Sequence, residues 1–422
     1  MNTVKRFRAA SSLRSAMVAA IIALCCVPGA SPGFAASPEA DVHDRIFTLD
    51  SHVDIPFNYT ETPETDPGKA TDMQVDLGKM DKGGLDSGFF IVYVGQTERT
   101  PENYAKAKAD ALQKFSLIHR MTDQFYPDRI GMAYHPADVE KIAASGRKVA
   151  MIGIENGFVI GKDLSLLRKY YDLGGRYMTL AHMGHNDICD TSTPNAELGD
   201  GPEEHGGLSA FGREVIDEMN RLGMMVDVSH ISEKSMRQAV AYSKAPVIAS
   251  HSSVRALADH PRNLTDDQMR LLAKHGGVMQ IVALSAYIKV DPARHAAYDA
   301  LEQKVAALYK DDNLDEDALY ETPEMKQGLE QLDRDHPPAT VSQFVDHIDH
   351  AVKVMGVDHV GISSDFGGGG GITGWNNAAE TGNITRELLA RGYSEEDIAK
   401  IWSGNLLRVW RDVEAVAGKS AN

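Results

Sequence analysis

His52 and Asp54 stand two residues apart at the end of an apolar run, IFTLDSHVD, which spans residues 46–54. In a β-strand, side chains at positions i and i+2 point to the same side, so this imidazole and this carboxylate would face together where the strand ends. Imidazole nitrogens and carboxylate oxygens are ligands that proteins offer to zinc. The pair therefore predicts a metal-binding strand end.

Polar side chains of the same kinds end five further apolar runs. They are Glu155, His182, His230, His251 and Asp365. Taken alone, a histidine at a strand end is more often a hydrogen-bonded rim residue, and an aspartate is as often the cap of the next helix. Brought to one small volume, however, several imidazoles and carboxylates would repel and desolvate one another unless a cation compensated them. The set favours zinc, and five such ligands could hold two ions that share one carboxylate.

Eight short apolar runs are expected to position these residues. The runs are 46–54, 85–95, 149–157, 177–183, 224–230, 246–252, 278–284 and 360–366. Their near-continuous apolar character is typical of parallel strands covered on both faces, and segments with helical spacing lie between most of them. Eight strands alternating with helices predict an α/β fold, a (β/α)₈ TIM barrel, in which the carboxyl ends of all strands meet at one face. A doubly wound open sheet is the alternative.

Two stretches depart from this alternation. Residues 286–340 are strongly charged with helical spacing, and they are predicted to form a helical insertion between strands 7 and 8, over one end of the barrel. The run GGGGGI after Phe366 predicts a loop that admits close backbone approach or moves as a lid. Four other histidines and one cysteine are interpreted as structural residues in loops or at helix ends: His185, His205, His260, His275 and Cys189.

The N-terminus resembles a secretory signal peptide over residues 1–35. Basic residues precede the apolar run AMVAAIIALCCVPGA, and Gly33-Phe34-Ala35 offers a small-x-small cleavage site. The run is shorter than the roughly 20 residues a spanning helix needs, so a cleaved signal is favoured over an uncleaved anchor, with a lipid anchor as a weaker alternative. Residues 36–422 are then predicted to be a single barrel domain, exported to the periplasm or the extracellular space. Only Cys189 remains in that chain, which excludes an intrachain disulfide.

Composition limits the possible partners. With 43% hydrophobic and 24% charged residues among 422, the chain can bury a large core. Its net charge of −17 argues against a nucleic-acid surface, because phosphate binding needs clustered Lys and Arg. No nucleic-acid partner is expected.

The motifs together resemble the membrane dipeptidase (renal dipeptidase) family of zinc peptidases, M19. They are SHVD, IGIENG, YMTLAHMGHN, VDVSHIS, PVIASHSSVRAL, HPRNLTDD, GISSDF and the terminal GNLLRVW. Their order and spacing match that family across nearly all of the mature chain, least well in the 286–340 insertion. An HxD pair alone is common to many metal-dependent hydrolases, whereas this combination is specific.

The resemblance implies a role for each candidate residue. His52 and Asp54 would bind one Zn²⁺, His230 and His251 the other, and Glu155 would bridge the two ions together with a hydroxide. The resemblance also implies that His182 binds substrate, that Arg262 holds the substrate carboxylate and that Asp365 handles the proton. Two positions depart from the family pattern: Gly367 stands where members often carry a second Asp, and Asn156 stands where Gly is usual.

These observations predict an exported zinc dipeptidase that hydrolyses L-L dipeptides through a metal-bridging hydroxide, with L-D dipeptides left open. The family's members are often dimers, so the resemblance also implies a homodimer. One alternative is another amidohydrolase on the same barrel, such as an N-acyl-amino-acid hydrolase or a lactonase. The other is a non-catalytic solute-binding protein that uses the barrel mouth as a pocket.

Overall fold

Parallel β-strands closed into a barrel form the centre of the molecule. The computed structural model describes residues 38–310, 319–320 and 322–420. Its strands are β1 (Leu49–Asp54), β2 (Ser87–Tyr93), β3 (Ile130–Met132), β4 (Lys148–Glu155), β5 (Gly175–Thr179), β6 (Met225–Asp227), β7 (Ile248–Ser252), β8 (Val278–Val282) and β9 (Val360–Ser363). Eight of them follow the order β1-β2-β4-β5-β6-β7-β8-β9 in parallel pairs.

The first and last strands meet where they end. The Asp54 N–H donates to the Phe366 carbonyl over 2.7 Å, and the Asp365 N–H donates to the His52 carbonyl over 3.2 Å. These bonds join the two edges that an open sheet would leave unpaired. The (β/α)₈ barrel expected from the sequence is therefore confirmed, and the doubly wound alternative is wrong.

One short strand, β3, was not expected. It pairs with the first residues of β4, where Ile130 lies opposite Lys148. The next strand, β5, pairs with β4 only from Ile152 onward, so β3 occupies the edge of β4 that β5 leaves open. With three residues and no long apolar run, β3 carries too little periodicity to be recognised from sequence.

Helices cover the outside of the barrel. They are Pro38–Arg45, Leu77–Gly83, Pro101–His119, Pro136–Ala144, Ser165–Asp172, Ala210–Leu222, Glu233–Tyr242, Asp266–Lys274, Ser285–Ile288, Pro292–Leu308, Pro323–Asp335, Val341–Met355, Gly382–Ala390, Glu395–Ala399 and Asn405–Ser420. Side chains cap the first turn of several helices: Ser209, Ser232 and Thr265 each accept a hydrogen bond from a backbone N–H of that turn. Gly223 ends one of them in the left-handed conformation.

The predicted insertion is helical. Helices Pro292–Leu308 and Pro323–Asp335 pack against each other between β8 and β9, before the helix Val341–Met355 returns the chain to the barrel. The predicted signal peptide, residues 1–35, lies outside the described residues. Among the helices that the structure describes, none combines the length and the apolar character needed to cross a bilayer.

The C-terminal helix closes the amino-terminal end of the barrel. Leu406, Leu407 and Trp410 share one buried cluster with residues that begin the strands, including Leu49 and Phe89. The Trp410 and Phe89 ring centres are 6.2 Å apart. The motif GNLLRVW therefore supplies an apolar base, which leaves the carboxyl ends of the strands as the open end.

We expect Trp410→Ala to lower the free energy of unfolding by about 3–5 kcal/mol, because it removes a fully buried indole from this base. Denaturant unfolding followed by circular dichroism measures the change. The control is Leu308→Ala, at a side chain that is 59% exposed, which should change the free energy by no more than about 0.5 kcal/mol. Equal effects of the two substitutions would contradict a closing role for Trp410.

Candidate metal centre

Glu155 lies at the centre of the predicted site, with one histidine beside one carboxylate oxygen and three beside the other. Its Oε2 lies 3.3 Å from His52 Nε2. Its Oε1 lies 3.1 Å from His230 Nε2 and 3.2 Å from His251 Nε2. His182 Nε2 is on the same side, 3.7 Å from Oε1. The two oxygens of one carboxylate thus point at different imidazoles: Oε2 at His52, and Oε1 at the other three.

Two more carboxylates lie near His52. His52 Nε2 lies 3.4 Å from Asp54 Oδ2 and 3.8 Å from Asp365 Oδ1. Three overlapping groups of possible ligands result, each with its ligand atoms within 4.8 Å of one another: His52, Glu155 and His251; Glu155, His182 and His230; and His52, Asp54 and Asp365. All six strand ends singled out in the sequence therefore contribute to one cluster.

The donor atoms fit metal ions. His52 Nε2 and both carboxylate oxygens of Asp54 are buried, and they have no hydrogen-bond partner among the described residues. A buried carboxylate without a partner is costly, so such atoms indicate a ligand that satisfies them. Oxygen and imidazole donors in this number suit Zn²⁺ or a similar divalent ion.

Burial and neighbouring charges set the protonation of the cluster. Burial lowers the pKa of His230 and His251 well below the usual range, and the positive charge of Arg262 lowers it further. Both rings are therefore neutral at pH 7 and can offer a lone pair. Burial also opposes a charge on His52, but the carboxylates of Glu155 and Asp54 favour one, and the pKa of His52 is raised. The His52 end is thus the more negative end, which favours a cation there.

The backbone is strained at three points of the cluster. Asn156, His230 and Asp365 have φ values of 76°, 67° and 60°, in the region that L-residues rarely adopt. Asn156 accepts a hydrogen bond from the Phe158 N–H, which starts the next short helix. This side-chain contact helps to hold the strained backbone at a position where the family usually has glycine. Such strain concentrates at functional sites because the surrounding fold must hold it.

The glycine loop after Phe366 approaches the cluster closely. A Cβ on Gly368 would lie 2.5 Å from Asp54 Oδ2 and 2.9 Å from Asp365 Oδ1. Gly367 has a φ of 83°, and a Cβ there would lie 2.7 Å from the Asp54 carbonyl oxygen. The close backbone approach expected from the sequence is therefore present, and the loop follows a path on which the aspartate usual at position 367 would not fit.

Arg262 reaches the cluster from the loop after β7. Its Nη2 donates to the His251 carbonyl over 3.1 Å, and its guanidinium lies 5.3 Å from the centre of the Tyr287 ring. Arg262 is buried, and its Nε has no partner among the described residues. His260, which the sequence left as structural, supports this loop, because its Nδ1 accepts from the Arg262 backbone N–H over 3.2 Å.

The contacts of His185 and His205 agree with their interpretation as structural residues. His185 Nε2 bonds to the Gly201 carbonyl, and His205 Nε2 bonds to the Asn186 carbonyl, so both rings hold loops. Burial raises the pKa of the Cys189 thiol. None of these three residues belongs to the ligand groups found in the described part of the chain.

Sequence reasoning missed the residues that support the candidate ligands. Tyr177 begins the run that ends at His182, and its hydroxyl lies 2.9 Å from His52 Nδ1 on another strand. The ring crosses to His52 over Gly153, where a Cβ would lie 2.2 Å from Tyr177 Cζ. Gly153 within the motif IGIENG was the available signal, since a glycine inside a strand often marks such an approach.

The chain is similar to known peptidases in sequence and in fold. Residues 37–422 match the model of the family described as membrane dipeptidase, peptidase family M19. Dipeptidase tcpJ of Claviceps purpurea is 33% identical over 356 residues, which is 83% of this chain and 72% of that protein. The crystal structure of the probable dipeptidase PvdM from Pseudomonas aeruginosa is 34% identical, with a TM-score of 0.79 over 90% of this chain and 98% of that one. A dipeptidase described as a metallopeptidase of family M19 is 22% identical with a TM-score of 0.68 over 87% and 98% of the two chains, which bears on the fold alone.

The chain belongs to the membrane dipeptidase family, M19. Within that family it is a metallo-dipeptidase of the membrane-dipeptidase type. The resemblance noted in its motifs is therefore confirmed.

We expect Gly153→Ala to lower kcat/KM for dipeptides about 10-fold or more, because the added methyl would displace the Tyr177 ring from His52. Steady-state hydrolysis by the folded variant measures this loss. Gly88→Ala is the matched control, since a Cβ at this strand glycine would meet its nearest neighbour at an ordinary 3.5 Å. If kcat/KM for Gly153→Ala were as high as for Gly88→Ala, the contact of the Tyr177 hydroxyl with His52 would not be needed for activity.

Proposed function

We propose that the protein is a dinuclear zinc dipeptidase with His52 and Asp54 on one ion, His230 and His251 on the other, and Glu155 between them. The observation that carries this proposal is the orientation of Glu155, whose Oε2 faces His52 while its Oε1 faces His230 and His251. A carboxylate placed in this way can bind one ion with each oxygen. The unpartnered atoms of His52 and Asp54 support the same assignment.

Zinc bound there would supply a hydroxide at neutral pH, because coordination lowers the pKa of water to about 7, and would polarise the scissile carbonyl. The protein's own side chains would then orient the substrate and move its protons. His182 is suited to stabilise the oxyanion: it lies beside the cluster, and its ring centre is 4.0 Å from that of His230. Asp365 is suited to carry a proton to the leaving amine, because burial raises the pKa of its carboxyl well above the usual range.

Arg262 would select for a free carboxylate. Its guanidinium is permanently charged and forked, so it can bind a carboxylate through two parallel hydrogen bonds. The Nε, buried and without a partner among the described residues, is available for one of them. A carboxylate held one residue beyond the scissile bond restricts the substrate to dipeptides.

Export and assembly belong to the same proposal. Residues 1–35 are proposed to be a cleaved signal peptide, which would deliver the enzyme to the periplasm or the extracellular space. A homodimer is proposed only from the resemblance to the family. Secretion of a tagged full-length chain and sedimentation of the mature protein test these two statements.

A substrate panel tests the activity. Purified residues 36–422, with metal content determined, should hydrolyse L-L dipeptides but not tripeptides or N-acyl amino acids, and should contain about two zinc ions per chain. L-D dipeptides in the same panel determine the stereochemistry accepted at the second residue. Glu155→Gln is expected to lose activity and metal together. Turnover of acyl substrates alone would favour another amidohydrolase, and neither zinc nor turnover would favour a solute-binding protein.

Arg262→Met should raise KM for dipeptides about 10- to 100-fold, because hydrogen bonds to a charged group contribute about 1.5–3 kcal/mol. Dipeptide amides, which lack the carboxylate, provide the chemical control. The wild-type protein should discriminate against the amides, and the variant should lose most of that discrimination. An equal loss on acids and amides would show instead that Arg262 acts only through the fold.

A further inference from the structure

The candidate ligand histidines differ in what their other ring nitrogens contact. His52 Nδ1 lies 2.9 Å from the Tyr177 hydroxyl, and His251 Nδ1 lies 2.8 Å from the Ser250 hydroxyl. His230 Nδ1 is buried without a hydrogen-bond partner among the described residues. The two halves of the site are therefore supported by different contacts.

Behind Ser250 lies a buried carboxylate that is not itself a candidate ligand. Asp227 ends β6, and its Oδ2 accepts the hydroxyls of Thr179 and Ser250, each over 2.6 Å. Its Oδ1 accepts the backbone N–H groups of Ser229 over 3.1 Å and Ser250 over 2.8 Å. With four donors directed at it, the group is satisfied as an anion.

These bonds fix the direction of the next one. The Ser250 hydroxyl has a single hydrogen, and Asp227 accepts it, so Ser250 Oγ must accept from His251 Nδ1–H. A neutral His251 ring then carries its lone pair on Nε2, the atom that faces Glu155. The chain Asp227–Ser250–His251 thus orients the ring and passes part of the carboxylate's charge to the ligand nitrogen.

The hydrogen-bond partner of His52 Nδ1 is a tyrosine hydroxyl rather than a serine backed by a carboxylate. The Tyr177 hydroxyl donates to the Ser51 carbonyl over 3.0 Å, which leaves its oxygen to accept from His52 Nδ1–H. In the neutral ring that metal binding requires, His52 Nε2 is then the nitrogen with the lone pair. Here the support is a neutral phenol fixed to the backbone rather than a carboxylate.

We propose that Ser250 and Asp227 are positioning residues for the ion on His230 and His251, and that Tyr177 is the positioning residue for the ion on His52 and Asp54. The inference rests on the proposed dinuclear site. It adds that the hydrogen bonds to the Nδ1 atoms of His52 and His251 support the two ions independently. Loss of either hydrogen bond would weaken the binding of one ion and leave the binding of the other unchanged.

Single-site backgrounds separate the two ions. His52→Ala should leave an ion on His230 and His251, and His251→Ala should leave one on His52 and Asp54. In the His52→Ala background, Ser250→Ala is expected to lower the affinity for Zn²⁺ about 10- to 100-fold, the usual cost of losing such a partner. In the His251→Ala background, Ser250→Ala should leave the affinity for Zn²⁺ unchanged. Tyr177→Phe should lower the affinity in the His251→Ala background and leave it unchanged in the His52→Ala background. Competition with a zinc chelator measures each affinity, and circular dichroism verifies folding.

Two further variants distinguish positioning from a general structural role. In the His52→Ala background, Thr179→Val removes the other hydroxyl that Asp227 accepts and leaves the contact between Ser250 and His251 in place. This double variant should therefore bind Zn²⁺ as tightly as His52→Ala alone. Ser250→Thr keeps the hydroxyl and should restore the affinity that Ser250→Ala loses. Equal losses in Ser250→Ala and Thr179→Val, or no loss in Ser250→Ala, would overturn the proposal. If the otherwise unaltered protein bound no metal, the dinuclear site itself, and with it the proposed function, would be refuted.

Discussion

Burial of negative charge at the carboxyl end of the barrel is the constraint on which the rest of the site depends. Asp54, Glu155 and Asp365 lie within one small cluster, while Arg262 brings a single positive charge to its edge. In a medium of low dielectric such an excess of carboxylates is strongly unfavourable unless cations compensate it. Neutral imidazoles at His230 and His251 and unpaired oxygens on Asp54 are what such cations require. The metal is thus part of the electrostatic balance of the fold.

The same residues also close the barrel. The His52 carbonyl and the Asp54 N–H bond to Asp365 and Phe366, so the seam between the first and last strands runs through the site. The seam brings Asp365 beside His52, and the following glycines let the chain turn against Asp54 without a clash. A change in this loop would therefore affect both barrel closure and ligand geometry. The strained φ of Asp365 is held by contacts on both sides of the seam.

The sequence predicted the barrel because parallel strands buried on both faces leave long apolar runs. It predicted the cluster of candidate ligands because polar residues interrupt those runs at their ends. It could not predict β3, whose three residues depend on the edge left free by β5. Nor could it predict that Tyr177 supports His52, since that contact crosses between strands and needs the gap at Gly153. Position 367 shows the same limit: a glycine read as a departure from the family pattern is required by the local path of the backbone.

The interior of the barrel is divided according to polarity, and this division explains how a buried anion can lie next to the ligands. Apolar side chains such as Leu49, Phe89 and Trp410 fill the closed end. Closer to the open end, Asp227 is satisfied by hydroxyl and backbone donors, which offsets most of the cost of its burial. A cation held by His251, as proposed, would compensate its remaining negative charge. Because the unfolded chain has no preformed site, binding of that cation also stabilises the folded barrel, so metal affinity and folding stability are linked through the same carboxylates.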